Sequence, residues 1–227
     1  MAVFTSVSET DAETLLTQFD LGKLVSLRGI TAGIENTNYF LSTTGAEYVL
    51  TLFEVLTFEQ LPFYIELMHH LAERGIPVPE PQTNKNGQRL TTLHGKPCAI
   101  VTRLSGGYEP DPGERHCALA GHTLAKTHLA GASFSMHQPN LRGLSWWQET
   151  IPKLLTFLTP AQNALIQAVL KEQSDFAQTE LYQSLPYGPA HCDLFRDNVL
   201  FDGTYEQPRM GGPVSYTHLT LPTIYSV

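Results

Sequence analysis

The sequence predicts an α+β chain of two lobes, a small antiparallel sheet with a helix first and a mainly helical lobe after it. Three observations carry that prediction. Between residues 24 and 104, β-branched and aromatic residues cluster in short runs broken by turn signals. Residues 105–113 then hold Gly106, Gly107, Pro110, Pro112 and Gly113, the composition of a connecting segment. Beyond them apolar residues recur at helical spacing, until the loop His191-Cys192-Asp193-Leu194-Phe195-Arg196-Asp197-Asn198 runs straight into Val199-Leu200-Phe201.

The elements follow in order. Ser8-Glu9-Thr10-Asp11 is a capping pattern, and Ala12, Leu15, Leu16 and Phe19 behind it predict a helix from Ser8 to Gln18. Strands are expected over 24–30, 37–42 and 48–53, with Thr43-Thr44-Gly45-Ala46 turning the last hairpin. Leu61, Ile65, Met68 and Leu71 make one face of a helix over 61–74, stopped by Gly75, and Pro77 and Pro79 extend the chain after it. Two more strands are expected over 89–93 and 97–104, then the connecting segment. Helices follow over 114–130, closed by Gly131, and over 146–158. A third opens at Thr159 with Pro160 in its first turn and runs through Leu165, Ile166, Val169 and Leu170. Tyr187-Gly188-Pro189 breaks the helical pattern ahead of the loop at 191–198.

That loop carries the chemistry. Its spacing, H-x-D-L-x-x-x-N, is that of the catalytic loop of protein-kinase-like phosphotransferases. Asp193 is placed to accept the proton of a hydroxyl attacking a γ-phosphate, Asn198 to hold a Mg²⁺ that neutralises phosphate charge, and a strand directly after the Asn fixes where that ligand points. His191, the motif's first position, joins Asp193 as a candidate catalytic residue. Upstream, Gly29 and Gly33 flank a strand-loop-strand turn whose backbone N–H groups can approach phosphates, and Asn36 and Asn38 can add side-chain donors or merely stabilise the turn. The expected architecture is a protein-kinase-like two-lobe fold, with residues 1–104 as nucleotide-binding N-lobe and 105–212 as part of a helical C-lobe.

Two positions depart from the kinase pattern. The third strand has Thr51 where a Lys or Arg usually pairs with the phosphates, so Glu66, the usual partner of that cation, is expected to be a solvated helix residue. No Asp or Glu follows Glu206, and Ser215 lies about where a second metal-binding Asp belongs; a neutral hydroxyl is a poor ligand for a hard divalent cation. The stretch 213–227 resembles translated sequencing-adapter read-through and is expected to be foreign to the domain, leaving the C-lobe incomplete.

Composition narrows the function further. Lys and Arg number 14 against 22 Asp and Glu, for a net charge of −8, and the cations are scattered, so no nucleic-acid partner is expected. There is no apolar run of membrane-spanning length and no signal-like N-terminus, so a cytoplasmic protein is expected. Cys98, Cys117 and Cys192 are widely spaced and read as reduced thiols. His69 and His70 point to different sides of their helix, and His116, His122 and His128 do not share a face, which argues against zinc. His128 is expected beneath the catalytic loop, Trp146-Trp147 in the core, and Arg196 in a local ion pair with Asp197.

The segments at 33–40 (GIENTNYF), 48–54 (YVLTLFE), 61–68 (LPFYIELM), 74–81 (RGIPVPEP), 142–147 (RGLSWW) and 191–203 (HCDLFRDNVLFDG) together resemble the bacterial homoserine kinases of the aminoglycoside-phosphotransferase-like superfamily. The resemblance covers residues 1–212, and that family also carries a non-basic residue at the Thr51 position. It implies ATP as phosphoryl donor with Mg²⁺, homoserine as the small-molecule acceptor, and a step toward threonine. It further implies that adenine lies against a hinge near Thr102, Arg103 and Leu104, mostly through backbone groups. Arg196 and Arg142 are candidates for the acceptor's carboxylate.

Overall fold

The structure, a computed structural model, describes residues 3–31 and 35–214, and the backbone of 223–225. The chain forms two compact units, Met1–Ser135 with Asp193–Thr220, and Met136–Cys192 with Leu221–Val227.

The first unit is built on a five-stranded antiparallel sheet. Its strands are β1 (Leu24–Gly29), β2 (Asn36–Thr43), β3 (Glu47–Phe53), β4 (Thr91–Leu93) and β5 (Lys96–Thr102), in the order β1-β2-β3-β5-β4. Alternation along the central strands sorts two faces. Tyr39, Leu41, Leu50, Leu52, Cys98 and Ile100 pack under α1 (Glu9–Leu16), whose Ala12, Leu15 and Leu16 complete that core. Ser8 caps α1 through the full capping box with Asp11. On the other face Phe53 and Ala99 meet Leu61, Ile65 and Met68 of α2 (Leu61–Glu73). The expected strand over 89–93 is shorter because Arg89 is drawn aside: its guanidinium pairs with both carboxylate oxygens of Glu66, at 3.1 and 2.8 Å. Glu66 is therefore an ion-pair residue and not the solvated one expected.

The connecting segment is more ordered than its composition suggests. Gly107–Tyr108 form β6, paired with β8 (Val199–Gly203), which pairs in turn with β9 (Pro208–Pro213). Side chains add to this seam: the hydroxyl of Tyr205 donates to the carbonyl of Asp111 at 3.2 Å, and Arg115 donates to the carbonyl of Glu206. α3 (Glu114–Gly131) packs against β9 and α2. His128 is exposed and does not lie beneath the loop. His116, at the start of α3, is the buried one, its ring 4.8 Å from that of Phe201 and 5.0 Å from that of Tyr205.

The second unit holds α4 (Leu144–Leu154), a 3-10 turn at Leu155–Phe157, α5 (Pro160–Ala177), α6 (Glu180–Ser184) and β7 (Tyr187–Pro189). Thr159 caps α5 with Gln162 in a second capping box. β7 pairs with β10 (Thr223–Tyr225). Trp146 and Trp147 are not core residues here: they are 42% and 38% exposed. Pro213, the first residue of the stretch expected to be foreign, ends β9 in its ladder and Val214 follows it buried, while Ser215 lies outside the described residues.

Candidate active site

The loop expected to carry the chemistry is closed by its own backbone. The N–H of Phe195 donates to the carbonyl of Asp193 at 2.9 Å, and the N–H of Asn198 donates to that of Phe195 at 2.9 Å, winding Arg196–Asn198 into one 3-10 turn. Cys192, just before, takes a left-handed backbone with φ 51°, a conformation costing an L-residue about 1 kcal/mol. After the turn Val199 is buried and starts β8, and the N–H of Val214 donates to the carbonyl of Asn198 at 2.8 Å. Asn198 is thus held from both sides.

Its side chain turns back on Asp193. Nδ2 of Asn198 donates to the carbonyl oxygen of Asp193 at 2.8 Å and to its carboxylate Oδ2 at 3.0 Å. Both protons of the amide are committed there, so Oδ1 is the acceptor that remains. That donor set, an amide oxygen beside a carboxylate, consists of hard oxygens and fits a Mg²⁺ that takes its other ligands from phosphates and water. Among the described residues no group of three or more His, Cys, Asp or Glu side chains forms a protein-only metal site.

The remaining candidates fall into two groups. Gly29 ends β1 opposite Tyr39, and a Cβ there would come within 3.0 Å of Val3, so its small size serves packing of the N-terminus. Gly33 lies outside the described residues. Asn36 is buried at the start of β2. Asn38 is fully buried, accepts a 2.7 Å hydrogen bond at Oδ1 from the hydroxyl of Thr51, and faces the same residue across the β2–β3 ladder. In place of a donor to the loop, Asn38 is a sheet residue. The position where a third-strand cation is usual is filled by a neutral, mutually satisfied pair.

At the end of β5, where the hinge is expected, Thr102 exchanges two bonds with Glu80. Its N–H donates to the Glu80 carbonyl at 2.9 Å and its hydroxyl accepts the Glu80 N–H at 2.8 Å. The Arg103 guanidinium lies 4.3 Å over the Phe40 ring and pairs with Glu47 at 3.2 Å, so its side chain is held on the sheet. Leu104 borders Gly212, where a Cβ would fall 2.7 Å from its Cδ1 and directly on the carbonyl of Pro77. The neighbouring Gly211 leaves no room for a Cβ against the carbonyl of Ser105. These two glycines, which the sequence marks only as a Gly-Gly pair, let β9 pass directly under the hinge. The structure therefore brings residues 102–104, β8 and β9 and the Asp193–Asn198 loop into one unit.

Two other candidates are placed elsewhere. Arg196 is exposed and donates to the carbonyl of Pro110 at 2.8 Å; it forms no ion pair with Asp197 among the described residues. Arg142 and the buried His191 belong to the second unit, where the backbone N–H of Arg142 donates to Asn140 at 2.9 Å. Desolvation pushes the Cys192 thiol up to about 11 and that of buried Cys98 up to about 12, so neither is a nucleophile at neutral pH.

The family described as the phosphotransferase enzyme family matches residues 26–212. The chain belongs to this family. Among its relatives, homoserine kinases of Burkholderia cenocepacia and Burkholderia multivorans are 51% and 53% identical over 216 residues, 93% of this chain and 65% of each relative. That of Paraburkholderia phymatum is 51% identical and 67% covered. The chain thus spans just under two thirds of the length of the first curated relatives it matches. A solved spectinomycin phosphotransferase in complex with ADP and spectinomycin superposes with a TM-score of 0.64 at 14% identity, over 93% of this chain and 69% of that one. An amicoumacin kinase in complex with AMP-PNP and Ca²⁺ gives 0.69 at 15%, over 92% and 64%. At such identities the likeness is one of fold, and this member of the family has the protein-kinase-like fold with its antiparallel sheet.

Proposed function

We propose that this chain carries the nucleotide-binding and catalytic elements of an ATP-dependent homoserine kinase, which phosphorylates the side-chain hydroxyl of homoserine on the way to threonine in the cytoplasm. The observation that supports it best is the Asp193–Asn198 pair, set on a turn that runs directly into β8 in a chain half identical to homoserine kinases. In this reading the Asp193 carboxylate accepts the proton of the acceptor hydroxyl, and Asn198 both orients that carboxylate and offers Oδ1 to the cation. Mg²⁺ supplies charge neutralisation at the phosphates when bound. Backbone N–H groups of the 29–38 turn cover the phosphates, and the backbone of 102–104 faces the base. Arg142 stays a candidate for the acceptor's carboxylate, whereas Arg196 is committed to Pro110.

The test is coupled ADP release by a form extended with the third of the Burkholderia cenocepacia relative that this chain lacks. Homoserine, choline and an aminoglycoside are the three acceptors. Preference for homoserine is the expected result; equal or greater rates on another acceptor would remove homoserine as the substrate. The 227-residue chain by itself is expected to turn over negligibly, since Ser215 stands about where this reading expects a metal-binding carboxylate, and robust Mg-ATP-dependent turnover by it would overturn that expectation.

A further inference from the structure

The segment ahead of α1 is tied down by two side chains of β2. The N–H groups of Phe4 and Thr5 both donate to Oγ1 of Thr37, at 2.9 and 3.0 Å. The N–H of Val7 donates to the hydroxyl of Tyr39 at 2.9 Å, and that hydroxyl donates to the carbonyl of Thr5 at 3.1 Å. Thr37 is fully buried and passes its own proton to Oε1 of Glu54 at 2.6 Å, an oxygen that also accepts the hydroxyl of Thr5 at 2.7 Å. The Thr37 hydroxyl therefore has its one proton and both lone pairs in use. Lys96 closes the network by donating to Glu54 and to Oγ1 of Thr5. Val3 lies against Gly29, where an added Cβ would stand 3.0 Å from its Cγ2.

Gly29 ends β1 and Thr37 stands second in β2, so this segment touches both arms of the β1–β2 turn. Just inside those arms the N–H of Ile30 donates to the carbonyl of Asn38 at 2.8 Å. Alternation along β2 puts Thr37 and Asn38 on opposite faces of the sheet. The stem of the turn is thus braced from one face by residues 3–7 and from the other by the Asn38–Thr51 pair. Apolar contact through Val3 and Val7 would suffice to close the core, and the hydrogen bonds add a fixed position. Backbone N–H groups hold phosphate best when the chain that carries them is fixed beforehand. We propose that residues 3–7 are a strap that sets the position of the phosphate-covering turn, with Thr37 as the positioning residue. This rests on the reading above, in which the 29–38 turn covers the phosphates, and adds what holds it there.

Thr37→Val keeps the shape of the side chain and removes the acceptor of two strap N–H groups, whereas Thr37→Ser keeps the hydroxyl. Deleting residues 2–6 removes the strap, leaves Val7 in the core, and serves where Thr37→Val lowers the yield of folded protein. In the 227-residue chain, Thr37→Val or the deletion should speed hydrogen exchange of the Ile30 N–H by about tenfold, the worth of one or two hydrogen bonds. The N–H of Gln82, bound to the carbonyl of Ile100 at 2.8 Å, should exchange as before, and Thr37→Ser should restore Ile30. Equal acceleration at both amides, or none at Ile30, overturns the proposal. In the extended form, calorimetric titration with Mg-ATP and with adenosine reads the consequence. Thr37→Val and the deletion should weaken ATP binding several-fold and leave adenosine binding unchanged. An equal loss for both ligands, or no loss for ATP, overturns the strap's role while the phosphate-cover reading stands. If the unaltered extended form binds ATP no more tightly than adenosine, the turn does not cover phosphates, and the strap's role falls with that reading.

Discussion

Asn198 donates two hydrogen bonds to Asp193, one to its backbone carbonyl at 2.8 Å and one to its carboxylate at 3.0 Å. The two side chains proposed to accept the proton and hold the cation are therefore a single braced pair and not two independent groups. In the extended enzyme, Asp193→Asn should lower kcat by about 10²–10⁴, the range of general-base contributions. Asn198→Asp puts a second carboxylate beside the first, and like charge disfavours ionisation of both. The acidic limb of the kcat/KM pH profile should then move to higher pH; an unmoved limb would separate Asp193 from the proton transfer.

Asn38 and Thr51 satisfy each other inside the sheet at 0% and 2% exposure. Thr51→Val leaves a buried amide oxygen without its donor, and urea denaturation should show a loss of about 1–3 kcal/mol. Asn38→Leu with Thr51→Val together should cost less than the sum of the single changes, since removing both partners leaves no orphan. Thr51→Lys should destabilise as well and fail to tighten ATP binding, because the site is packed and Thr51 is committed to Asn38.

Most of the first unit was legible in the sequence for a simple reason. α1, α2 and the five-stranded sheet are made of local periodicity, capping residues and glycine stops, all of which are visible within a dozen residues. The loop at 191–198 stood out in the sequence because the chemistry proposed for it would dictate its spacing. What escaped depends on partners far along the chain. Gly107–Tyr108 is a strand only because β8 lies beside it, and Arg196 faces the carbonyl of Pro110 instead of its neighbour Asp197. Asn38 falls both in an expected strand and at the end of the glycine-flanked turn, and only its pairing with Thr51, thirteen positions on, decides between the two. Trp146 and Trp147 are apolar, and apolarity alone does not say whether a partner covers them.

Gly212 has φ 137°, a region closed to residues with a Cβ, and its Cα faces the carbonyl of Pro77. Gly212→Ala should destabilise the 227-residue chain by about 3 kcal/mol or more in urea, combining backbone strain with a clash. A loss below about 1 kcal/mol would show that β9 does not pass beneath the hinge as described.

Glu54 is nearly buried, and burial alone would raise its carboxyl. Hydrogen bonds from Lys96, Thr37 and Thr5 outweigh that and hold it below its ordinary value of 4.5. A carboxyl lowered by folding stabilises the fold above its unfolded value and loses that contribution as pH falls through the folded one. Stability of the wild-type chain should thus decline on acidification below about pH 4.5, and Glu54→Gln should flatten that part of the curve. An identical pH dependence in the variant would remove Glu54 from the linkage.

The seam between the connecting segment and the β8–β9 hairpin joins residues 91 and 94 positions apart, at Arg115–Glu206 and Asp111–Tyr205. On the ribosome, at about 5–20 residues per second, the five-stranded sheet is complete several seconds before β8 and β9 leave the exit tunnel. During that interval the strand Gly107–Tyr108 has no neighbour, and the slot beneath Pro77 and Ser105 stands empty. Asp193 and Asn198 can reach their places only when the last strands thread in. If residues 102–104 face the nucleotide as proposed, nucleotide affinity should arise late and abruptly during synthesis, which makes the order of translation part of how the Asp193–Asn198 pair is assembled.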